Sequence, residues 1–171
     1  AYIPVGAAIV AGDIADAIAG PATEMGVFGH GYTYSGHPVG CAVAAKVIDI
    51  YQRDRVFEHA AKIGDYLQAK LAKFADHPLV GEVAGIGMLG ALELVANKAD
   101  KTPFPGMAVG GFCAKAAERA GLIIRPLGGN RVALCPPLII TEAHVDEMVE
   151  KLGTALHETL DYVTEEGLLT I

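Results

Sequence analysis

Two stretches carry residues whose types and spacing could do chemistry. Residues 29–37 read GHGYTYSGH: three glycines, two histidines, two tyrosines, Thr33 and Ser35 in nine positions. Small apolar residues follow at once from Pro38, in the pattern of a helix that opens at its first turn with a proline. Two hydroxyls on a glycine-punctuated loop running into a helix N-terminus make a natural anion site, because glycines let backbone approach a ligand and the helix end presents free N–H groups. The alternative is purely local: Ser35 caps its own helix and Thr33 satisfies a turn. Local chemistry does not separate the two. The second stretch is GLIIRPLGGNRVALCPPLII, residues 121–140, where Arg125 stands inside an apolar strand pattern. A buried guanidinium requires an anion, and its planar fork suits a carboxylate. An internal salt bridge, or an edge strand with Arg125 facing water, would explain the same residue.

Other candidate chemistry is weaker. Gly85–Gly90 (GIGMLG) matches G-x-G-x-x-G, but that fingerprint must open a helix within a βαβ unit, and here ALELV and a loop follow. A glycine-rich strand turn accounts for it. His30 and His37 stand seven apart with no carboxylate or cysteine between them and predict structural roles rather than a metal. His59, His77, His144 and His157 read as surface or helix-end residues. Thr33 occupies the first glycine position of G-x-S-x-G, which argues against a hydrolase.

The elements that must position these residues follow from periodicity. Residues 2–10 predict a short buried strand, and GDIADAIA a short helix capped by Gly12 or Asp13. A glycine-rich loop over 19–36 leads into a helix starting near Ser35–Pro38 and running through Arg53. Asp54 is positioned to cap a further helix, Val56 to Ala75, with Val56, Ile63, Leu67 and Leu71 on one face. Strands are expected over 79–84 and 88–95, a loop over 96–106, and a helix over 108–120 ended by Gly121. LIIRP and RVALC predict a hairpin about Gly128–Asn130, PPLIIT an extended segment, and Thr141 the cap of a last helix to about Thr164. The order predicts an α/β chain: the end of one α/β domain over 1–54, then a small α+β domain over 55–171.

Composition narrows the function. The 171 residues are 52% hydrophobic with net charge −7, which excludes a disordered chain. Thirteen basic residues are scattered rather than striped, so nucleic acid is not an expected partner. No apolar run reaches the ~20 residues of a membrane span. Cys41, Cys113 and Cys135 are an odd number without metal spacing, which predicts buried thiols in a reducing, cytoplasmic setting.

Together AYIPVGAAIV, VFGHGYTYSGHPVGCAVA, HPLVGEVAGIGMLGALELV and GLIIRPLGGNRVALCPPLIIT resemble, in order and over essentially the whole chain, the later part of a class III aminotransferase of the ω-amine:pyruvate type. The resemblance implies pyridoxal 5'-phosphate as cofactor and fold type I, with the end of the large cofactor-binding domain followed by the small C-terminal domain. It implies a homodimer with shared active sites. Thr33 is then expected to hydrogen-bond the cofactor phosphate of the neighbouring subunit, with Tyr32 contributing through its backbone. Arg125 is expected to be the mobile arginine that pairs with a substrate carboxylate. Small-molecule amines and keto acids such as pyruvate are the implied substrates.

Two departures stand out. The family commonly has Val-Arg-Gly where this chain has Val83-Ala84-Gly85. The Schiff-base lysine is expected upstream of Ala1, and none of Lys46, Lys62, Lys70 or Lys73 stands in a motif that could replace it. The 171-residue chain alone is therefore expected to be inactive. The same resemblance also admits an aminomutase, a decarboxylase or a non-catalytic structural fragment.

Overall fold

The structure, a computed structural model, describes residues 3–170. The chain divides into two compact units, Ala1–Asp54 and Arg55–Ile171.

In the first unit, α1 (Gly12–Ala19) and the single turn α2 (Ala22–Met25) precede the long helix α3 (Pro38–Arg53). Pro38 occupies the first turn of α3, as its pattern required, because a proline there forfeits no helical hydrogen bond. The residue before it caps the helix: Nδ1 of His37 accepts from the Val39 N–H at 3.3 Å. Ser35 is not the cap. The expected buried strand is absent over the described residues 3–10, where Ile9 is 95% exposed; residue 2 lies outside the described residues. A strand is stable only against a neighbour, and none of the described strands pairs with this segment. Neither Gly12 nor Asp13 caps α1; Ala11 holds that position without a side-chain bond.

The second unit is a two-layer α+β arrangement. Helix α4 (Val56–Leu71) runs into a 3-10 helix, Ala72–Asp76, and is followed by strands β1 (Val80–Ile86), β2 (Leu89–Asn97) and the short β3 (Thr102–Pro103). Helix α5 (Ala108–Arg119), strands β4 (Arg125–Leu127) and β5 (Arg131–Leu134), and helix α6 (Glu142–Glu165) complete it. The sheet order is β1-β2-β5-β4, with β3 pairing β2 and the described pairings antiparallel.

The apolar face of α4 is the one its spacing predicted: Val56, Ile63, Leu67 and Leu71 are buried. Its cap is not Asp54, which is held by Arg53 through paired bonds of 2.7 and 2.8 Å. Arg55 takes the cap position in a left-handed conformation (φ 52°). At the far end of the unit, Thr141 caps α6 with His144 in a reciprocal capping box.

Strand β2 alternates strictly at its start. Gly90, Leu92 and Leu94 face the helices, while Leu89, Ala91 and Glu93 face away. Gly87 (φ 53°) turns the two-residue hairpin between β1 and β2, which disposes of the nucleotide-like glycine motif. A side chain at Gly90 would fall 2.3 Å from Leu71 Cδ1, so the glycine lets α4 sit directly on the strand. PPLIIT is a turn rather than an extended segment, closed by the Ile140 N–H donating to Pro137 O at 3.2 Å. Of the cysteines, Cys113 is buried, and burial raises its thiol pKa. Cys41 and Cys135 are exposed, against the expectation of buried thiols, because α3 and the end of β5 lie uncovered at those positions.

One buried polar side chain ties this unit together. Asn130 is fully buried in a left-handed conformation (φ 55°) in the β4–β5 turn. Its Oδ1 accepts from the Gly110 N–H at 3.0 Å, and its Nδ2 donates to Gly106 O at 2.8 Å and Phe104 O at 3.3 Å. Asn130→Ala leaves these buried groups without partners and places a Cβ residue without a stabilising amide at positive φ. A loss of about 2–4 kcal/mol is expected, read from the denaturant midpoint.

His77 contributes a pH dependence. Its Nδ1 accepts from the Leu79 N–H, its Nε2 is buried without a partner, and its ring meets His157 edge-on at 5.4 Å. Burial, then the neighbouring His157 and Lys98, lowers its pKa below the ordinary 6.5. A histidine depressed in the folded state stabilises the fold above its unfolded pKa and loses that contribution as pH falls through the folded value. Thermal stability is therefore expected to fall as pH drops below about 6.5. His77→Gln should remove part of that slope; an unchanged slope would assign it to other groups.

Candidate functional site

The loop before α3 is built from aromatic contacts and tight turns. Phe28 and His30 lie 5.9 Å apart, and His30 meets Tyr32 edge-on at 5.8 Å. The Ser35 N–H donates to Tyr32 O, and Ser35 Oγ accepts from the Tyr32 N–H at 3.0 Å. Ser35 thus closes the turn that carries Thr33 rather than capping the helix. His37 N–H donates to Tyr34 O, so the turn feeds directly into the capped start of α3.

This arrangement leaves donors over. Among the described residues, nothing pairs with the Thr33 hydroxyl or accepts from the backbone N–H groups of Thr33 and Tyr34. Thr33 is exposed, and no atom lies within 4 Å of where side chains would stand at Gly29, Gly31 and Gly36. The donor set of this turn fits a phosphate group: one hydroxyl and two N–H groups on an uncluttered surface. Residues 19–37 hold no lysine or arginine, so the loop offers hydrogen bonds rather than countercharge. Beside it, a pocket of about 570 Å³ is lined by Ile3–Gly6, Tyr32, Tyr34 and the first turn of α3. Gly40 is buried at its floor, where a side chain would press on Val5 at 3.4 Å.

Arg125 belongs to the other unit. It opens the edge strand β4, is exposed, and has no ion-pair partner among the described residues. The premise that it is buried does not hold. An edge strand with Pro126 at its centre leaves one side without ladder partners, and the guanidinium lies on the sheet face opposite the helices. Register shows what surrounds it: Arg125 opposes Ala133, Ala133 opposes Ala91, and Ala91 opposes Ala84. Arg125 therefore stands at the end of a lane of three alanines. The lane forms the floor of a cleft of about 800 Å³ walled by Ile86, Leu89, Ile123 and Leu127. Ala84, where an arginine was expected from the resemblance, is one of these three.

The neighbouring row on the same face is charged, and the sequence reading missed it. Glu82 opposes Glu93, Glu93 opposes Arg131, and Arg131 opposes Leu127. Arg131 Nη2 bonds Glu93 at 2.8 Å, and Lys101 reaches Glu82 at 3.6 Å. The period-two alternation around Glu82 and Glu93 was a usable signal for their face, but not for their partners.

Two of the lysines set aside above as Schiff-base candidates are engaged in ion pairs. Lys70 pairs with Asp146 at 2.5 Å and Lys62 with Glu142 at 3.0 Å, both tying α4 to α6. Among the described residues, no three acidic, histidine or cysteine side chains cluster as a metal site, and no helix is long and apolar enough to cross a membrane.

The sequence model of the family described as aminotransferase class-III matches residues 3–156. The chain belongs to the class-III aminotransferases. Within this family it is 40% identical over 166 residues to a probable γ-aminobutyrate transaminase 3, mitochondrial, of Oryza sativa subsp. indica, covering 96% of this chain and 32% of that one. It is also 40% identical over 170 residues to an uncharacterised aminotransferase of Sinorhizobium fredii, covering 98% and 36%. Among solved structures, the ω-transaminase from Pseudomonas jessenii in complex with PMP superposes with TM-score 0.82 at 40% identity, over 88% of this chain and 33% of that one. A transaminase from directed evolution by ancestral reconstruction gives TM-score 0.86 at 43% identity, over 90% and 34%. The fold is thus that of the corresponding part of fold type I pyridoxal-phosphate transaminases. This aminotransferase chain spans about a third of the length of the curated relatives it matches.

Proposed function

We propose that this chain is the C-terminal part of a pyridoxal-phosphate-dependent transaminase that moves an amino group from an ω-amino acid or amine to a keto acid such as pyruvate. The observation that carries this reading is the unpaired Arg125 guanidinium at the end of an apolar lane, a placement suited to a small carboxylate with a short carbon chain. Residues 1–54 form the end of the large cofactor-binding domain and residues 55–171 the small C-terminal domain.

The chain's own residues divide the work. Thr33 donates its hydroxyl to the cofactor phosphate, and the backbone beside it, including that of Tyr32, shapes the turn that receives it. Together these residues would anchor the phosphate end of the cofactor. The cofactor, when bound, supplies the electron sink for transamination. Arg125 binds and orients the keto-acid carboxylate by a two-pronged charge-assisted hydrogen bond. When a carboxylate-free amine enters, the guanidinium turns back to solvent, which its exposed edge position permits. The exposed Phe28, Tyr32 and Tyr34 leave an aromatic surface for a second copy, in keeping with a homodimer whose sites are shared. Three free cysteines accord with a reducing, cytoplasmic setting.

In the active enzyme containing these residues, Thr33→Ala is expected to weaken cofactor binding about 10- to 100-fold, the worth of one hydrogen bond to a charged group. Cofactor titration by absorbance reads this, and the amine range should stay as it was. Arg125→Ala should raise KM for pyruvate about tenfold or more and leave KM for carboxylate-free amines alone. Unchanged pyruvate kinetics would remove Arg125 from the site.

The 171-residue chain by itself is expected to show no transaminase turnover. After incubation with pyridoxal phosphate and borohydride reduction, its intact mass should carry no stoichiometric adduct at a defined lysine. Sustained turnover by the isolated chain would refute this.

A further inference from the structure

The open face of the sheet holds three cations near two carboxylates, and the way they are shared leaves Arg125 over. Glu82 and Glu93 stand directly opposite each other across β1 and β2, a like-charge pair that each needs a cation. Lys101 takes Glu82 and Arg131 takes Glu93. Arg125 sits one same-face row further along, with the methyl groups of Ala133, Ala91 and Ala84 along that row.

We propose that Arg131 is a positioning residue for carboxylate recognition: by holding Glu93 across the strand, it keeps Glu93 from capturing Arg125 and so leaves the Arg125 guanidinium free for the keto acid. This rests on the reading of Arg125 as the carboxylate ligand.

The geometry supports it in three ways. First, the Glu93 side chain is only 24% exposed, so it is partly desolvated and draws the nearest available cation. Second, Arg125 and Glu93 are two strands and one row apart, about 12 Å between Cα atoms from ordinary strand spacing and rise. A glutamate and an arginine span that gap together when nothing stands between them, and the alanine lane places nothing there. Third, the Arg131 side chain is 51% exposed. Its pairing with the less exposed Glu93 contributes some stability, and the pair has a second effect. What it does is settle which guanidinium on this face answers to Glu93.

The consequence is a competition internal to the protein. Without Arg131, Arg125 divides its time between Glu93 and solvent. The apparent affinity for a keto acid then falls by the fraction of time that the guanidinium is free.

The test uses the active enzyme. Arg131→Gln is expected to raise KM for pyruvate about tenfold, as for a ligand group free about a tenth of the time. kcat at saturating pyruvate and KM for a carboxylate-free amine should stay near the parent values. Adding Glu93→Gln should restore the pyruvate KM, because the competitor has lost its charge. Calorimetric binding of propionate, which cannot react, should weaken in the single variant and recover in the double one. Removing Glu93 also relieves its stranded charge, so the melting temperature of each variant is read alongside, and a pyruvate KM that moves at an unchanged melting temperature separates positioning from a structural role. If Arg125→Ala affects pyruvate but Arg131→Gln does not, or if the double variant stays as impaired as the single, this inference is overturned and the Arg125 reading stands. If Arg125→Ala leaves pyruvate untouched, both fall.

Discussion

The second unit depends on the side-chain amide of Asn130. It sits where three segments meet: the loop after β3, the first turn of α5, and the turn between β4 and β5. A buried amide satisfied on both sides is worth more than its hydrogen bonds alone, because any other arrangement of these segments leaves polar groups stranded in a dry environment. The left-handed conformation that places the amide also sets where β5 begins. Arg131 then falls opposite both Leu127 and Glu93, and Arg125 one row away opposite Ala133. A slip of one residue would turn Arg125 toward the helices and Val132 toward solvent. The Asn130 amide thus helps the backbone ladders hold the core and the open face in register.

Much of this was legible in the sequence where periodicity is strong. The buried face of α4, the proline at the start of α3, the glycine turn joining β1 and β2, the hairpin of β4 and β5 and the Thr141 cap follow from spacing and turn chemistry. The failures share a cause. Residues 2–10 are apolar enough for a buried strand, but apolarity records only that a surface is to be covered, not what covers it. Asp54 has the right chemistry for a cap, yet Arg53 beside it claims the carboxylate first. Cross-strand partners such as Glu93 and Arg131 lie 38 residues apart, and no local pattern encodes that pairing.

The candidate phosphate loop shows the same division. The glycines and hydroxyls of residues 29–37 were visible, but which hydroxyl was committed was not. The backbone gives the cap to His37 and the turn to Ser35, and it leaves Thr33 unengaged. Two polar neighbours satisfied within the chain are what single out the third. For the proposed phosphate role, the local hydrogen bonding gives a reason why Thr33 rather than Ser35 would serve.

Arg125 inverts the argument that first drew attention to it. A buried arginine would have needed a permanent counterion, and a guanidinium permanently paired is poorly placed to bind anything else. An exposed arginine in open water binds carboxylates weakly, because water competes for every donor. Between these limits lies an edge position with one side open to solvent and the other lined by small apolar groups. There the charge carries little desolvation penalty while free, and an arriving carboxylate displaces water from one side only. The alanines serve this by being short: a larger residue at Ala91 or Ala133 would fill the lane, and a charged one would occupy the guanidinium. If Arg125 takes a carboxylate as proposed, specificity depends as much on which neighbours are already satisfied as on the arginine itself.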